Sequence, residues 1–210
     1  MFDPLAEQLR KCGDTQSLAN CLLHNALRLS NARFGNVQFV RWEKGYLEIE
    51  SQSGFGDEFL KFFERVHVVD SSACARAVRD RRSIVVEDVT KDRQFAPCWE
   101  ILHHANVRAV QSTPMISGSG AFVGVLSTHF PQIHRPTDTE MRIMGQAAQL
   151  AANALIALRV NRRSSCDEIT SSLELLRQSQ HTIERANKLL SRDPLSPTRP
   201  SAIGTATAIG

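Results

Sequence analysis

Ala105-Asn-Val-Arg-Ala-Val-Gln-Ser-Thr-Pro-Met-Ile-Ser-Gly-Ser-Gly-Ala-Phe-Val-Gly-Val-Leu-Ser-Thr-His-Phe130 reads as two β-strands joined at Ser117-Gly118-Ser119-Gly120. The first runs from about Arg108 to Ile116 and the second from about Phe122 to Phe130. Each mixes β-branched and apolar residues with short polar ones, and the Gly/Ser cluster between them is a turn signal. Gln111, Ser112, Thr113, Ser127, Thr128 and His129 make the pair too polar for plain core. The pattern predicts a sheet with part of one face turned to a small cavity.

Working toward the N-terminus, Ser83 to Glu87 reads as a strand, followed by a structured loop from Asp88 to Pro97 and one or two helical turns from Cys98 to Ala105. Ser71 or Ser72 caps a short helix to about Arg81, and Asp57 caps another through Val66. Strands at Asn36 to Trp42 and Tyr46 to Ser51 flank Glu43-Lys44-Gly45. Asp14 or Thr15 caps a helix ending at Phe34-Gly35, with Leu18, Cys21, Leu22, Ala26 and Leu29 on one stripe. A short amphipathic helix starts at Asp3-Pro4.

On the C-terminal side, Thr137-Asp-Thr-Glu140 fits a capping box opening a long helix. Met141, Met144, Ala148, Ala151, Leu155 and Leu158 form its apolar stripe. A second helical stretch is expected after Arg162-Arg163-Ser-Ser, from Asp167 to Ser191. Ile169, Leu173, Leu176, Gln180, Ile183, Asn187 and Leu190 give it a heptad seam with two polar entries, the pattern of a modest coiled coil. The Pro/Ser-rich residues 193–210 read as disordered. The order predicts an α+β fold: an antiparallel sheet of five or six strands, terminal helices on one face, a loop-helix cap on the other, and a C-terminal helical extension.

Composition narrows the function. A net charge of +3 spread along 210 residues leaves no concentrated basic stripe, which argues against nucleic acid. The N-terminus lacks the pattern of a signal peptide, and no run of about 18 apolar residues predicts a membrane span. Five cysteines, an odd number without tight spacing, fit free thiols in a reducing cytoplasm.

Phe34-Gly-Asn-Val-Gln38, Ser71-Ser-Ala-Cys-Ala75, Ile84-Val-Val-Glu-Asp-Val89, Val107-Arg-Ala-Val-Gln-Ser-Thr-Pro114, Gly124-Val-Leu-Ser-Thr-His-Phe130 and His134-Arg-Pro-Thr-Asp-Thr-Glu140 resemble a GAF domain, most of all those of bacterial sensor histidine kinases. The resemblance implies a GAF domain over 1–162 with its N-terminal helices, a possible coiled coil over 163–192 and a tail over 193–210. It also implies a cytoplasmic, non-enzymatic sensor in signal transduction. Such a domain binds a small molecule between sheet and cap and relays it through dimerising helices. The expected partners are a second copy and a histidine kinase or other signalling protein. The resemblance names no cofactor.

In such a pocket Ser71 and Ser72 would present backbone N–H groups at a helix start. Phe95 and Trp99 would form an apolar lid, and Arg108 would pair with a carboxylate. Ser112, Ser127 and His129 share a face by period-two alternation.

Two other readings stand beside this one. Cys74 and Cys98 are 24 residues apart, with Asp88 14 residues after the first. Free methionine-(R)-sulfoxide reductase, an enzymatic GAF protein, has the same spacing. That similarity implies attack on a sulfoxide by the Cys98 thiolate followed by a disulfide, chemistry that needs a lowered thiol pKa. The acidic residues expected to hold the substrate amine on the hairpin are missing here. The other reading is a ligand-free dimerisation adaptor with its pocket filled by side chains. Bilin attachment is disfavoured because Trp99, not His, follows Cys98, and the cyclic-nucleotide signature is absent after Phe130. His103, His104, His129 and His134 do not make a four-ligand metal pattern. His181 lies in no recognisable phosphoacceptor box.

Overall fold

The structure, a computed structural model, describes residues 3–190. In chain order the elements are α1 (Asp3–Arg10), α2 (Thr15–Ser30), β1 (Phe34–Arg41), β2 (Tyr46–Ser53), α3 (Asp57–Phe62), β3 (Arg65–His67), α4 (Ala73–Asp80), β4 (Ile84–Val86), α5 (Trp99–His104), β5 (Ala109–Ile116), β6 (Phe122–Phe130) and α6 (Asp138–Leu190). Short 3-10 turns occupy Trp42–Lys44 and Arg93–Cys98. The six strands form one antiparallel sheet in the order β3-β2-β1-β6-β5-β4.

Alternation along the strands sorts side chains into two cores. Val37, Phe39, Met115, Val123 and Leu126 pack under α1, α2 and α6, against Leu18, Leu22, Ala26, Met144, Ala148, Ala151 and Leu155. On the other face Val40, Leu47, Val110 and Val125 meet α3, α4 and α5 and the Phe95 turn. The terminal helices and the cap therefore lie on opposite faces, as the sequence predicts. Each buried Leu or Phe contributes about 1.5–3 kcal/mol to holding its face of the sheet. Gly124 lets β1 and β6 pair closely, because a Cβ there would collide with the backbone carbonyl of Gln38.

Several boundaries differ from expectation for local reasons. The Asp14 side chain accepts from the Ser17 N–H (2.7 Å), and the Ser17 hydroxyl returns a contact to the Asp14 N–H, opening α2. That helix stops at Ser30, because Asn31 takes the left-handed conformation (φ 52°), leaving Phe34 and Gly35 to β1. Leu29 is consequently exposed rather than on the buried stripe. Asp57 is the first residue of α3, Gly56 caps it, and Val66 belongs to edge strand β3, not to the helix.

The Thr137–Glu140 capping box forms in full. The Thr137 N–H donates to Glu140 Oε2 (2.7 Å), and the Glu140 N–H donates to Thr137 Oγ1 (3.2 Å). The expected interruption at Arg162-Arg163-Ser-Ser is absent, and α6 is helical throughout Asp138–Leu190. No Gly or Pro stands there, and serine is tolerated inside a helix.

The chain divides into two compact units at Arg162/Arg163. In the first, the buried stripe of α6 covers the sheet. By length and composition, part of Asp138–His181 would also suit a membrane span. Its apolar stripe from Met144 to Leu155, however, is buried on the sheet. In the second, Ile169, Leu173, Leu175 and Leu176 are exposed, each at 60% or more. The side chains of Ile183, Asn187 and Leu190, and the tail over 193–210, lie outside the described residues.

Candidate functional site

The polar side chains of the central strands converge on the cap side of the sheet. β1 contributes Asn36 and Gln38, β6 contributes Ser127 and His129, and β5 contributes Ser112. Register makes them neighbours: Asn36 is opposite Ser127, and Ser127 is opposite Ser112. The two serine hydroxyls hydrogen-bond to each other at 2.8 Å. Above this floor sit Phe59, Phe63, Ser72, Ala73, Cys74, Phe95 and Leu102. Together they enclose a cavity of about 20 Å³, the space of about one water molecule.

Three polar atoms at this floor have no hydrogen-bond partner: the carboxamide oxygens Asn36 Oδ1 and Gln38 Oε1, and His129 Nδ1. All three residues are buried. An unpartnered buried polar group costs about 1–3 kcal/mol. The His129 ring is set edge-on to Phe55 and Phe59, at 5.0 and 6.0 Å between centroids. This apolar burial pushes its pKa down to about 3. It is therefore a neutral imidazole at physiological pH, able to donate from one nitrogen and accept at the other.

Five of the eight residues expected at a pocket line the cavity: Ser72, Phe95, Ser112, Ser127 and His129. Three do not. Trp99 opens α5 on the outer surface, 48% exposed and packed near His103, so Phe95 but not Trp99 covers the site. Ser71 lies one residue before the N-cap. Ser72 is the cap of α4, accepting from the Ala75 N–H at 3.4 Å. Arg108 does pair with a carboxylate, but with Asp88 of the protein itself. Its Nε donates to Asp88 Oδ1 (2.7 Å) and its Nη2 to Oδ2 (3.0 Å).

Asp88 also accepts from the Thr90 N–H and hydroxyl, and these four donors hold its carboxyl well below the usual range. The pair ties the loop after β4 to β5. A second ion pair, Arg76 to Asp92 at 2.6 Å, ties α4 to the turn carrying Phe95. Both position the cap.

The two candidate thiols, Cys74 and Cys98, are both buried. Burial pushes the Cys98 thiol up to about 11, and burial also raises Cys74. Cys74 lines the cavity and contacts Ser72 Oγ at 3.3 Å, whereas Cys98 does not line it. Asp88, committed to Arg108, is not free to hold a substrate amine.

Sequence reasoning overlooked Asn36, Gln38, Phe59, Phe63 and Leu102. The signal for the first two was present. In Asn36-Val-Gln-Phe-Val40 polar residues alternate with apolar ones inside a central strand, which turns two carboxamides to one face. The Phe residues come from a separate segment, and only tertiary packing brings them over the sheet.

Among solved structures, the fold matches a domain of a protein described as a two-component sensor histidine kinase from Sinorhizobium meliloti, at TM-score 0.58 and 16% identity, covering 71% of this chain and 97% of that one. It also matches free methionine-R-sulfoxide reductase from Neisseria meningitidis (TM-score 0.60, 17% identity, 75% and 87% covered). A third match is the GAF domain of the Acinetobacter phosphoenolpyruvate-protein phosphotransferase (TM-score 0.62, 5% identity, 76% and 93% covered). At these identities the likeness is one of fold. No curated protein matches the sequence. The family model of the GAF domain matches residues 12–156, more than half of the chain, with the six-stranded sheet and the cap inside it, and the chain belongs to the GAF domain family.

Proposed function

We propose that this GAF domain is a signalling sensor that binds a small polar molecule between sheet and cap. The observation that carries this is the set of unpartnered polar atoms, Asn36 Oδ1, Gln38 Oε1 and His129 Nδ1, gathered at one cavity. In a structural core these groups would be left to a single buried water, for which the cavity has room; in a binding site they are the means of recognition. The ligand would enter as the cap moves away from the sheet. The relay would be α6, whose first turns pack on the reverse side of that sheet. Its later seam, Ile169, Leu173 and Leu176, would pair with a second copy as a coiled coil. A histidine kinase or another signalling protein would receive the change.

The ligand-free adaptor is the second reading, favoured by the cavity's small volume. The thiol enzyme is disfavoured by the raised pKa values of Cys74 and Cys98 and by the missing carboxylate. Native mass spectrometry of freshly purified protein separates these readings. A dimer that releases a small mass on denaturation supports the sensor. A dimer with no extra mass, and no ligand found by screening, supports the adaptor. Loss of two mass units on adding methionine sulfoxide to reduced protein would support the enzyme.

A further inference from the structure

Resting on the sensor reading above, we infer that the cavity takes a compact neutral molecule with an amide-type edge, an N–H donor beside a carbonyl acceptor, as in a lactam or cyclic ureide. Charge is the first argument. Among the described residues no Asp, Glu, Lys or Arg lines the cavity. Of the acidic groups on the cap side, Asp88 is paired with Arg108 and Asp92 with Arg76, while Asp70 accepts from the His67 N–H and does not line the cavity. His129 is neutral in its apolar setting. An ammonium, carboxylate or phosphate brought here would be desolvated without a counter-charge, at a cost of several kcal/mol. Free amino acids and nucleotides are thus rejected.

Hydrogen-bond chemistry is the second argument. A carboxamide carries a donor and an acceptor side by side, and its two ends exchange when the amide turns over. A ligand with adjacent N–H and C=O groups meets Asn36 or Gln38 by two parallel bonds in either orientation. A ligand with only acceptors would leave the orphaned oxygens unpartnered. Asn36 and Gln38 stand two residues apart on one face of β1, about 6.5–7 Å along the strand. A small cyclic molecule spans that interval. Ser127 lies opposite Asn36 and bonds Ser112, extending the same polar row.

Shape is the third argument. Phe59, Phe63 and Phe95 face this row and offer flat apolar contact to a ring. The cavity of about 20 Å³ holds about one water, so even a compact ring enters only as the cap moves off the sheet, and a larger guest needs a larger displacement.

Calorimetric titration of the 210-residue chain tests this, with hydantoin, uracil and 2-pyrrolidinone as probes and glutamate, methionine and methionine sulfoxide as charged comparators. At least one neutral probe should bind with a Kd at or below about 1 mM, and no comparator should bind measurably. Asn36→Leu and Gln38→Leu should each weaken that binding about tenfold, the effect of losing about one good hydrogen bond. Their melting temperature should stay level or rise, since each removes an orphaned polar group. Binding of a comparator, silence from every neutral probe, or unchanged affinity in both variants overturns the inference. If a variant fails to fold, the probe panel on the unaltered protein still decides. A charged metabolite released in native mass spectrometry would overturn the amide-edge ligand and leave the sensor standing. Absence of any bound molecule together with silent titrations would overturn both.

Discussion

His129 shows how one buried side chain couples the site to stability. Its pKa falls from 6.5 in the unfolded chain to about 3 in the folded one. Between those values the unfolded state holds a proton that the folded state lacks. The contribution of neutral His129 is therefore complete above pH 6.5 and is lost as pH falls toward 3. Its slope is at most about 1.4 kcal/mol per pH unit. Asp88 has the carboxylate pattern: Arg108 and Thr90 hold its pKa down, so its contribution is lost only as pH falls below about 4. Urea unfolding between pH 6.5 and 4.5 should thus show a falling stability that His129→Gln flattens, and an unaltered slope would contradict the assignment. At the same scale, Cys98 with its pKa near 11 holds almost no thiolate at pH 8. Iodoacetamide at that pH should label the half-exposed Cys12 well before Cys74 and Cys98, read by peptide mass spectrometry. Rapid labelling of Cys98 would revive the thiol enzyme.

Elements are positioned here by their ends as much as by their faces. The capping box at Thr137 and Glu140 satisfies donors at the start of α6, the helix that closes one core and would carry the signal. Thr137→Ala should cost about 1 kcal/mol in denaturant unfolding. A loss near zero would mean that packing of Met144 to Leu155 alone sets where α6 starts. The cap has an apolar core of its own, with Phe59, Phe95, Val78, Ile101 and Leu102 buried in it, and Asp88–Arg108 and Arg76–Asp92 tie down its loops. The cavity lies beneath the cap and the loop ties are part-exposed, so the cap is the element expected to move on binding.

For the whole molecule, the separation of cores has a consequence. Residues 1–162 contain both faces of the sheet and their covering helices. A fragment ending at Arg162 should unfold cooperatively and retain probe binding. The exposed Ile169, Leu173 and Leu176 should instead govern association. Leu173→Lys with Leu176→Lys should convert a dimer to a monomer in sedimentation velocity while leaving the thermal transition of the first unit unchanged. A dimer that survives both substitutions would place the contact elsewhere, most simply on the terminal helices of the GAF unit.

The strand pair of the opening stretch, its turn, the capping box at Thr137 and the two-faced sheet were legible in the sequence, as were the starts of two other helices to within one residue, at Asp14 or Thr15 and at Ser71 or Ser72. Each depends on local signals: alternation, small turn residues and capping side chains within four positions. The floor of the cavity was partly legible for the same reason, since alternation alone puts Ser112, Ser127 and His129 on one face. Asn36 and Gln38 carried that signal too. Tertiary structure alone decided that Arg108 turns to Asp88, 20 residues away, and that Trp99 faces outward while Phe59, Phe63 and Phe95 cover the site. It also decided that Cys74 and Cys98 are buried, which raises both thiols above their ordinary pKa. Those outcomes follow from competition for partners and from burial, which depend on segments far apart in the chain and have no period to read.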